Sequence, residues 1–317
     1  MDGGGNSKIA PEPSQLSKQS EKRLPLGQFP APIIIQPASS THKSTIIFLH
    51  GRGSNAQKFH GPLLSSPLTA HKHFQDAFPN TRFVFPTAPL LRAARFGRSI
   101  IHQWFDGSAD WEPGEQEHLK RSIEHVHGII RQESRLLDGD CRRIILAGIS
   151  QGCATALTSM LLWEGDGLGA FVGMCGYLPL ATYLTEMLDG EGAGSGDEED
   201  DGFVFELDSD DGAANQDIIE DGTCRSPLQD AVGELRREAR LPDLTRPSYL
   251  SFNSTPVFLG HGTEDDKVEC RHGHQASAFL KKAGLDVVFR EYQGLGHWYS
   301  QDMLDHITDF LLAKMDS

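Results

Sequence analysis

The pentapeptide Gly148-Ile149-Ser150-Gln151-Gly152 stands between an apolar run, Ile144-Ile145-Leu146-Ala147, and a stretch of small residues, Cys153-Ala154-Thr155. A strand before and a helix after would hold Ser150 on a sharp turn, its hydroxyl lifted above the sheet edge. The two glycines leave room for the backbone of such a turn. The helix N-terminus puts partial positive charge beneath the reacting centre. Ser150 is therefore the candidate nucleophile of an acyl transfer. A hydroxyl is a weak nucleophile near neutrality. It needs a base, usually histidine, whose tautomer is held by a carboxylate. With a serine on this kind of turn, the acid and then the histidine follow it in the chain.

Fourteen histidines compete for the base. His297 is the best placed, because it follows the last strand in the flexible turn Gly294-Leu295-Gly296-His297. His125 and His127 fall on a long helix as solvated or half-buried positions, and His71, His73, His272 and His274 read as surface helix positions. The acid should follow the preceding strand, where His261-Gly262-Thr263-Glu264-Asp265-Asp266 offers three adjacent carboxylates. The residues alone do not separate these three. The oxyanion of a tetrahedral intermediate needs donors, each worth about 10²–10³ in rate. The amide of Gln151 is one candidate. The turn His50-Gly51-Arg52-Gly53 supplies the amide of Arg52 as the second.

These residues need a frame. Short apolar runs at Ile33–Ile35, Thr45–Leu49, Thr81–Phe85, Arg142–Ala147, Ala170–Cys175, Pro256–Gly260 and Leu285–Tyr292 read as strands. Helical periodicity predicts helices over Glu115–Leu137, Gln151–Leu162, His274–Ala283 and Ser300–Leu312. Alternating strands and helices imply an α/β fold, a mostly parallel central sheet with helices on both faces. Ligands of such sheets collect at the carboxyl ends of the strands, which all the residues above follow. Residues 1–30 are polar and rich in Pro, Ser, Gln and Gly, and read as a disordered arm. Residues 31–317 then form a single domain, interrupted at about 188–250 by an insertion. Its first half is acidic and Gly-rich and is expected to pack loosely or not at all. In its second half, Ser226-Pro227 reads as a helix start, with Leu228, Val232, Leu235 and Ala239 at helical spacing over 226–241. That helix is expected to dock on the body, either as a lid at the site or as a surface excursion away from it.

The composition limits the remaining choices. The formal net charge of the 317-residue chain is −15, but fourteen Asp and Glu, with no Lys or Arg, fall between Asp189 and Asp221. The acidity belongs to that segment. No basic stripe supports nucleic-acid binding. The five cysteines, at 141, 153, 175, 224 and 270, include no C-x-x-C pair, as expected of reduced thiols in an intracellular protein. The start Met1-Asp2-Gly3 lacks a signal h-region and the myristoylation glycine, and the end Lys314-Met315-Asp316-Ser317 is no prenylation box. With no apolar run of membrane-spanning length, the expectation is a cytoplasmic or nuclear location and at most transient contact with a membrane surface.

With these pieces in order, the chain resembles the acyl-protein thioesterase branch of the α/β-hydrolases, the phospholipase/carboxylesterase family. The resemblance rests on Phe48-Leu49-His50-Gly51-Arg52-Gly53, Pro86-Thr87-Ala88-Pro89, Trp104-Phe105-Asp106, Ile145 to Gly152, Leu178-Pro179-Leu180, Gly260 to Asp265 and Gly294 to His297. They span roughly residues 31–187 and 255–314. The resemblance implies the α/β-hydrolase fold and a Ser150–Asp265–His297 triad, choosing Asp265 among the three carboxylates. It implies oxyanion donors at the amides of Arg52 and Gln151. It also implies a shallow apolar acyl channel with Trp104, Phe105 and Leu178 as substrate-binding residues, and a reaction using neither metal nor organic cofactor. Three features depart from the family pattern: Asp266 where proline is frequent, a basic 90–103 stretch with Arg92, Arg95 and Arg98, and the 188–250 insertion. These point to a divergent, fungal-type branch.

The expected activity is hydrolysis of acyl thioesters or esters through an acyl-enzyme, S-depalmitoylation of proteins included. A small-molecule carboxylesterase or lysophospholipase is the alternative within the enzyme class. A binding protein that keeps only the hydrolase shell is the alternative outside it.

Overall fold

The computed structural model describes residues 24–107, 116–189, 225–243 and 250–315. Residues 1–23 of the expected arm and the acidic half of the insertion, 190–224, lie outside them. In chain order the elements are β1 (Ile33–Ile35), β2 (Ser44–Leu49), α1 (Ala56–Leu64), β3 (Thr81–Phe85), β4 (Leu90–Ala93), β5 (Ser99–His102), α2 (Gln116–Leu136), β6 (Ile144–Ile149), α3 (Gln151–Leu161), β7 (Ala170–Met174), α4 (Ala181–Asp189), α5 (Pro227–Glu238), β8 (Val257–Gly262), α6 (Cys270–Lys282), β9 (Val287–Tyr292) and α7 (Gln301–Met315).

Seven strands form one sheet in the order β1-β3-β2-β6-β7-β8-β9. The edge strand β1 pairs antiparallel with β3, and the other pairs are parallel. The central strands are buried on both faces, and their side chains alternate between two cores. Ile47 and Leu49 of β2 join one cluster, with α2 to α6, while Ile46 and Phe48 join the other, with α1 and α7. β6 splits the same way, Ile144 and Leu146 against Ile145, Ala147 and Ile149. The chain order reverses between β2 and β6, which pair from Thr45↔Ile144 to Leu49↔Gly148. The carboxyl ends of these two strands carry His50 and Ser150, so the switch point of the sheet is where the candidate nucleophile stands.

The expected strands are present, with ends shifted by up to two residues. Arg142 and Arg143 lie in a 3-10 turn whose N-cap Asp140 accepts from the Arg142 amide, so β6 starts at Ile144. α6 begins at Cys270, four residues ahead of its expected start. Four elements carry no strong sequence signal. α1 contains Gly61 and Pro62 and is started by Asn55, whose side chain accepts from the Lys58 amide. β4 and β5 form a separate antiparallel hairpin from the basic 90–103 stretch, and α4 is a nine-residue helix after Leu180.

Residues 24–30, expected at the end of the arm, are fastened to the body. Gly27 donates to the Leu90 carbonyl and accepts from Arg121, and Phe29 stacks on His125 at 4.0 Å. α5 forms as the Ser226-Pro227 start predicts, with a complete capping box between Ser226 and Gln229. Val232 and Leu235 are buried, each contributing about 1.5–3 kcal/mol of hydrophobic stabilisation. Arg236 is also buried, donating to the carbonyls of Leu162 and Pro242 and to Glu164. Leu162 ends α3, about 18 Å from Ser150 at 1.5 Å per residue. The Arg236 end of α5 is thus anchored at the far end of that helix.

Three expectations about histidines are corrected. His71 and His73 lie in bends before a short 3-10 turn, where Pro67 and the glycine-free but irregular connection do not sustain a helix. His272 is buried within α6, since the earlier start of that helix turns it inward. His127 is buried and bonded to the Ser159 carbonyl at 2.8 Å, its ring edge-on to Trp163. Burial holds His50, His125 and His127 neutral, each pKa lowered to about 4. The unfolded chain therefore binds more protons between about pH 4 and 6.5, and stability should rise with pH through that window. Urea midpoints measured from pH 7 down to 4 should fall, and His127→Gln should flatten the slope.

Candidate active site

The turn that carries Ser150, the candidate nucleophile, depends on a close approach of backbones. A Cβ on Gly148 would lie 2.5 Å from the Gly152 carbonyl, and one on Gly152 would lie 2.4 Å from the carbonyl oxygens of Leu49 and His50. Only hydrogen at these positions lets α3 start directly against β2 and β6. Between them Ser150 has φ 58° and ψ −127°, a conformation that costs a non-glycine residue about 1–3 kcal/mol. The turn is held by the Ser150 amide bonded to the Met174 carbonyl and by the Ala154 amide bonded to the Ser150 carbonyl. Gly152→Ala should lower stability by about 1–3 kcal/mol through overpacking and displace Ser150. Urea unfolding and fluorophosphonate labelling of the variant read out the two effects.

His297 Nε2 lies 2.9 Å from Ser150 Oγ, and His297 Nδ1 lies 2.8 and 2.9 Å from the two oxygens of Asp265. Burial alone would raise the Asp265 pKa. Hydrogen bonds from His261, His297 and the amides of Val268 and Lys267 outweigh it and hold the carboxyl well below the usual range. An ionised carboxylate only accepts, so Nδ1 of His297 carries the proton and Nε2 is left to accept from the serine hydroxyl. Hydroxyl, imidazole and carboxylate thus form one directed line, able to move a proton from Oγ to Nε2 while Asp265 stabilises the imidazolium.

The loops carrying acid and histidine are stitched together. Glu264 N–H donates to the Leu295 carbonyl, Thr263 N–H to the Tyr292 carbonyl, and Gly294 N–H to Thr263 Oγ1. Asp265 Oδ1 also accepts from the amides of Lys267 and Val268, at 2.9 Å each. Asp266, the departure from proline, points outward and pairs with Lys267.

Two neighbours, His261 and Cys175, were assigned no role from the sequence. His261, 1% exposed, has Nε2 2.8 Å from the Val268 carbonyl and 3.2 Å from Asp265 Oδ2. It stands behind the carboxylate, four residues before Asp265 in the same His-Gly-x-x-Asp turn. Cys175, at the end of β7 with φ 45°, donates through Sγ to the Trp298 carbonyl. Burial, aided by the charge of Asp265, pushes the Cys175 thiol up to about 12, so it remains a donor. Cys175 Sγ and ligand atoms of Asp265 and His297 lie within 4.8 Å of one another. The bonds just described already engage all three groups, so the cluster is a hydrogen-bonded support for the histidine. Replacing His261 by Phe should cost Asp265 a charge-assisted bond and lower kcat/KM about tenfold, with partial recovery in His261→Asn. An unchanged steady-state rate in the Phe variant would refute this support.

The glycine turn after β2 lies beside the serine. A Cβ on Gly51 would be 3.2 Å from Ser150 Cβ. His50 anchors this turn. Its Nδ1 bonds the Gly51 carbonyl, its Nε2 accepts from the Ala88 amide, and its carbonyl accepts from Trp104 Nε1. Gly53 N–H is bonded to the His102 carbonyl at the base of the β4–β5 hairpin. Gln151 follows Ser150 at the first position of α3, and its side chain clamps the Trp104 amide and the Phe105 carbonyl.

The substrate-binding expectation for Trp104, Phe105 and Leu178 is corrected. Trp104 and Phe105 are fully buried and Leu178 is 2% exposed, so none meets a substrate without moving. Their bonds explain why. Trp104 spends its indole N–H on His50, its carbonyl accepts from Ser122, and Asp106 accepts from the Ala94 amide. The Trp-Phe-Asp segment braces the turn after β2 from behind. The exposed aromatic beside the site is Trp298, next to His297 and stacked on Tyr299. A groove of about 750 Å³ lined by Lys43, Arg142, Arg143 and Lys314 opens at the amino ends of the strands, at the opposite edge from Ser150.

A strand–serine–helix turn, a mostly parallel seven-stranded sheet and a hydroxyl–imidazole–carboxylate line at its carboxyl edge define an α/β-hydrolase. The chain belongs to the phospholipase/carboxylesterase family, whose profile matches residues 31–190 and 241–315, and it is with that family a serine hydrolase. It is 34% identical over 296 residues to acyl-protein thioesterase 1 of Saccharomyces cerevisiae, covering 89% of this chain and 96% of that one. It is 25% identical over 294 residues to acyl-protein thioesterase 1 of Gibberella zeae, covering 90% and 96%. Among solved structures it is similar in fold to Zea mays acyl-protein thioesterase 2, with TM-score 0.57 at 23% identity over 90% of this chain and 98% of that one. Arabidopsis thaliana SOBER1 gives TM-score 0.57 at 21% identity, covering 86% and 99%. Among the described residues no helix is long and apolar enough to cross a membrane, and Cys141, Cys153, Cys175 and Cys270 are free thiols.

Proposed function

We propose that the protein hydrolyses acyl thioesters or esters, acyl-protein thioesters among them, with Ser150 as nucleophile, His297 as base and Asp265 as the orienting acid. The observation that carries this reading is the line from Ser150 Oγ through His297 to Asp265, with both hydrogen bonds within 2.9 Å. In it, Oγ attacks the acyl carbonyl as its proton passes to His297 Nε2. The amides of Arg52 and Gln151 receive the oxyanion, where preorganised donors act on charge that develops only in the transition state. The thiol or alcohol leaves with the proton from His297, and an acyl group remains on Ser150. Water then attacks the acyl-enzyme by the same route, and the carboxylic acid departs.

The thioester preference is supported by the two fungal relatives named acyl-protein thioesterase 1, which match nearly their whole length. The acyl chain is expected to lie against the exposed face near Trp298 and the β4–β5 hairpin, whose base is tied to the Gly53 amide. Carboxylesterase SOBER1 of Arabidopsis thaliana, 23% identical over 282 residues, keeps the oxyester reading as the second one.

Ser150→Ala is expected to abolish turnover and fluorophosphonate labelling while the thermal midpoint stays close to wild type. Asp265→Asn, which favours the wrong imidazole tautomer, should lower kcat by about 10⁴. Hydrolysis of an S-acylated peptide compared with p-nitrophenyl esters of graded length decides between the two substrate classes. A strong preference for short esters overturns the thioester reading and leaves the serine chemistry standing. Stoichiometric binding of an activated ester with no acyl-enzyme burst overturns both.

A further inference from the structure

Outside the serine site, one group of ligand-type side chains has no part in the reaction above. Cys270 opens α6, His274 stands one turn further along it, and Glu291 is the last but one residue of β9. The spacing i, i+4 puts Cys270 and His274 on one face of the helix. Helix and strand then bring the Cys270 thiol, a ring nitrogen of His274 and a carboxylate oxygen of Glu291 within 4.8 Å of one another. His274 Nε2 is 2.6 Å from Glu291 Oε1, and the ring leans on Phe289 with centroids 4.5 Å apart, which limits its rotation. The cations in sequence beside the group are engaged elsewhere: Arg271 with Glu269, and Arg290 with His306. Cys141, Cys153 and Cys175 are buried, so Cys270 is the accessible thiol among the described residues. The carboxylate of Glu291 lies beside this thiol, and its negative charge attracts a cation.

We propose that Cys270, His274 and Glu291 form a binding site for a divalent cation of zinc type. One sulfur, one imidazole nitrogen and one carboxylate oxygen match the borderline-soft preference of zinc, with water completing a tetrahedron. On binding, the Cys270 thiol gives its proton to solvent and a metal–sulfur bond forms. The His274–Glu291 hydrogen bond is exchanged for one metal bond from each partner, which requires His274 neutral. Metal–ligand bonds of about 2.0–2.3 Å place tetrahedral donors roughly 3.3–3.8 Å apart, so rotations of partly exposed side chains close the site. The cation would tie the start of α6 to the end of β9. Asp265 lies five residues before Cys270 and His297 six residues after Glu291, so this clamp grips both loops that meet behind Ser150 without touching the reacting atoms.

Full-length protein freed of metal with EDTA, then titrated with Co²⁺ as a spectroscopic stand-in, should develop a sulfur-to-metal charge-transfer band in the near ultraviolet. Zn²⁺ should displace the Co²⁺, compete with a chromogenic chelator at one equivalent, and raise the thermal midpoint. Cys270→Ser should abolish the band, and His274→Ala and Glu291→Gln should each weaken zinc binding about tenfold or more. His297→Ala should retain the band, because the site is separate from the Cys175–Asp265–His297 group. The proposal is overturned if no thiolate band appears, if zinc binding survives Cys270→Ser and His274→Ala unchanged, or if His297→Ala abolishes it. Ser150→Ala, inactive under the proposed function, should bind zinc as wild type does, so the two readings fail independently.

Discussion

The structure turns on one close contact, the start of α3 pressed against the carboxyl ends of β2 and β6. Two hydrogen-only positions, Gly148 and Gly152, permit it: the Gly152 carbonyl fills the space a side chain on Gly148 would need, and the carbonyls of Leu49 and His50 fill that of one on Gly152. That contact forces Ser150 into positive φ, and the fully packed parallel sheet around it absorbs the cost. It also sets the first amide of α3 beside the turn that follows β2. The proposed nucleophile and both proposed oxyanion donors are thus placed by a single backbone packing event.

The remaining groups are placed by buried polar bonds. His50, neutral in its buried position, spends both ring nitrogens and its carbonyl on holding the Gly51–Gly53 turn. Asp265 is ionised because four donors converge on it, not because solvent reaches it. His261 behind it and the Cys175–Trp298 bond beside it restrict the histidine loop from two directions. A buried carboxylate with fewer donors would take up a proton instead, and the line to Ser150 would lose its direction. Preorganisation here is the product of satisfied hydrogen bonds.

The parts that depart from the family pattern sit around this centre rather than in it. The basic 90–103 stretch becomes a hairpin whose base is bonded to the turn after β2, with Phe96 and Ile100 exposed along it. The insertion contributes α5, which buries Arg236 against the far end of α3. The chemistry can stay constant while these outer elements differ, because among the described residues neither supplies a bond to Ser150, His297 or Asp265.

Much of this was legible in the chain itself. Short apolar runs marked most strands, and the 3.6-residue period marked most helices. The order Ser150, Asp265, His297 was readable because each residue follows a strand end in a glycine-rich turn, and strand ends of a parallel sheet share one edge. The capping box at Ser226 likewise announced α5 from local bonds alone. Tertiary structure decided what depends on partners distant in sequence. No local pattern shows that Trp104 and Phe105 face inward, since their partners His50, Ser122 and Gln151 lie elsewhere in the chain. The hairpin and α1 were hidden because short elements carrying Arg, Gly and Pro hold their shape through contacts rather than propensity. The residues that could act were written in sequence, whereas the supports that aim them exist only once β7, β8 and the histidine loop have packed together.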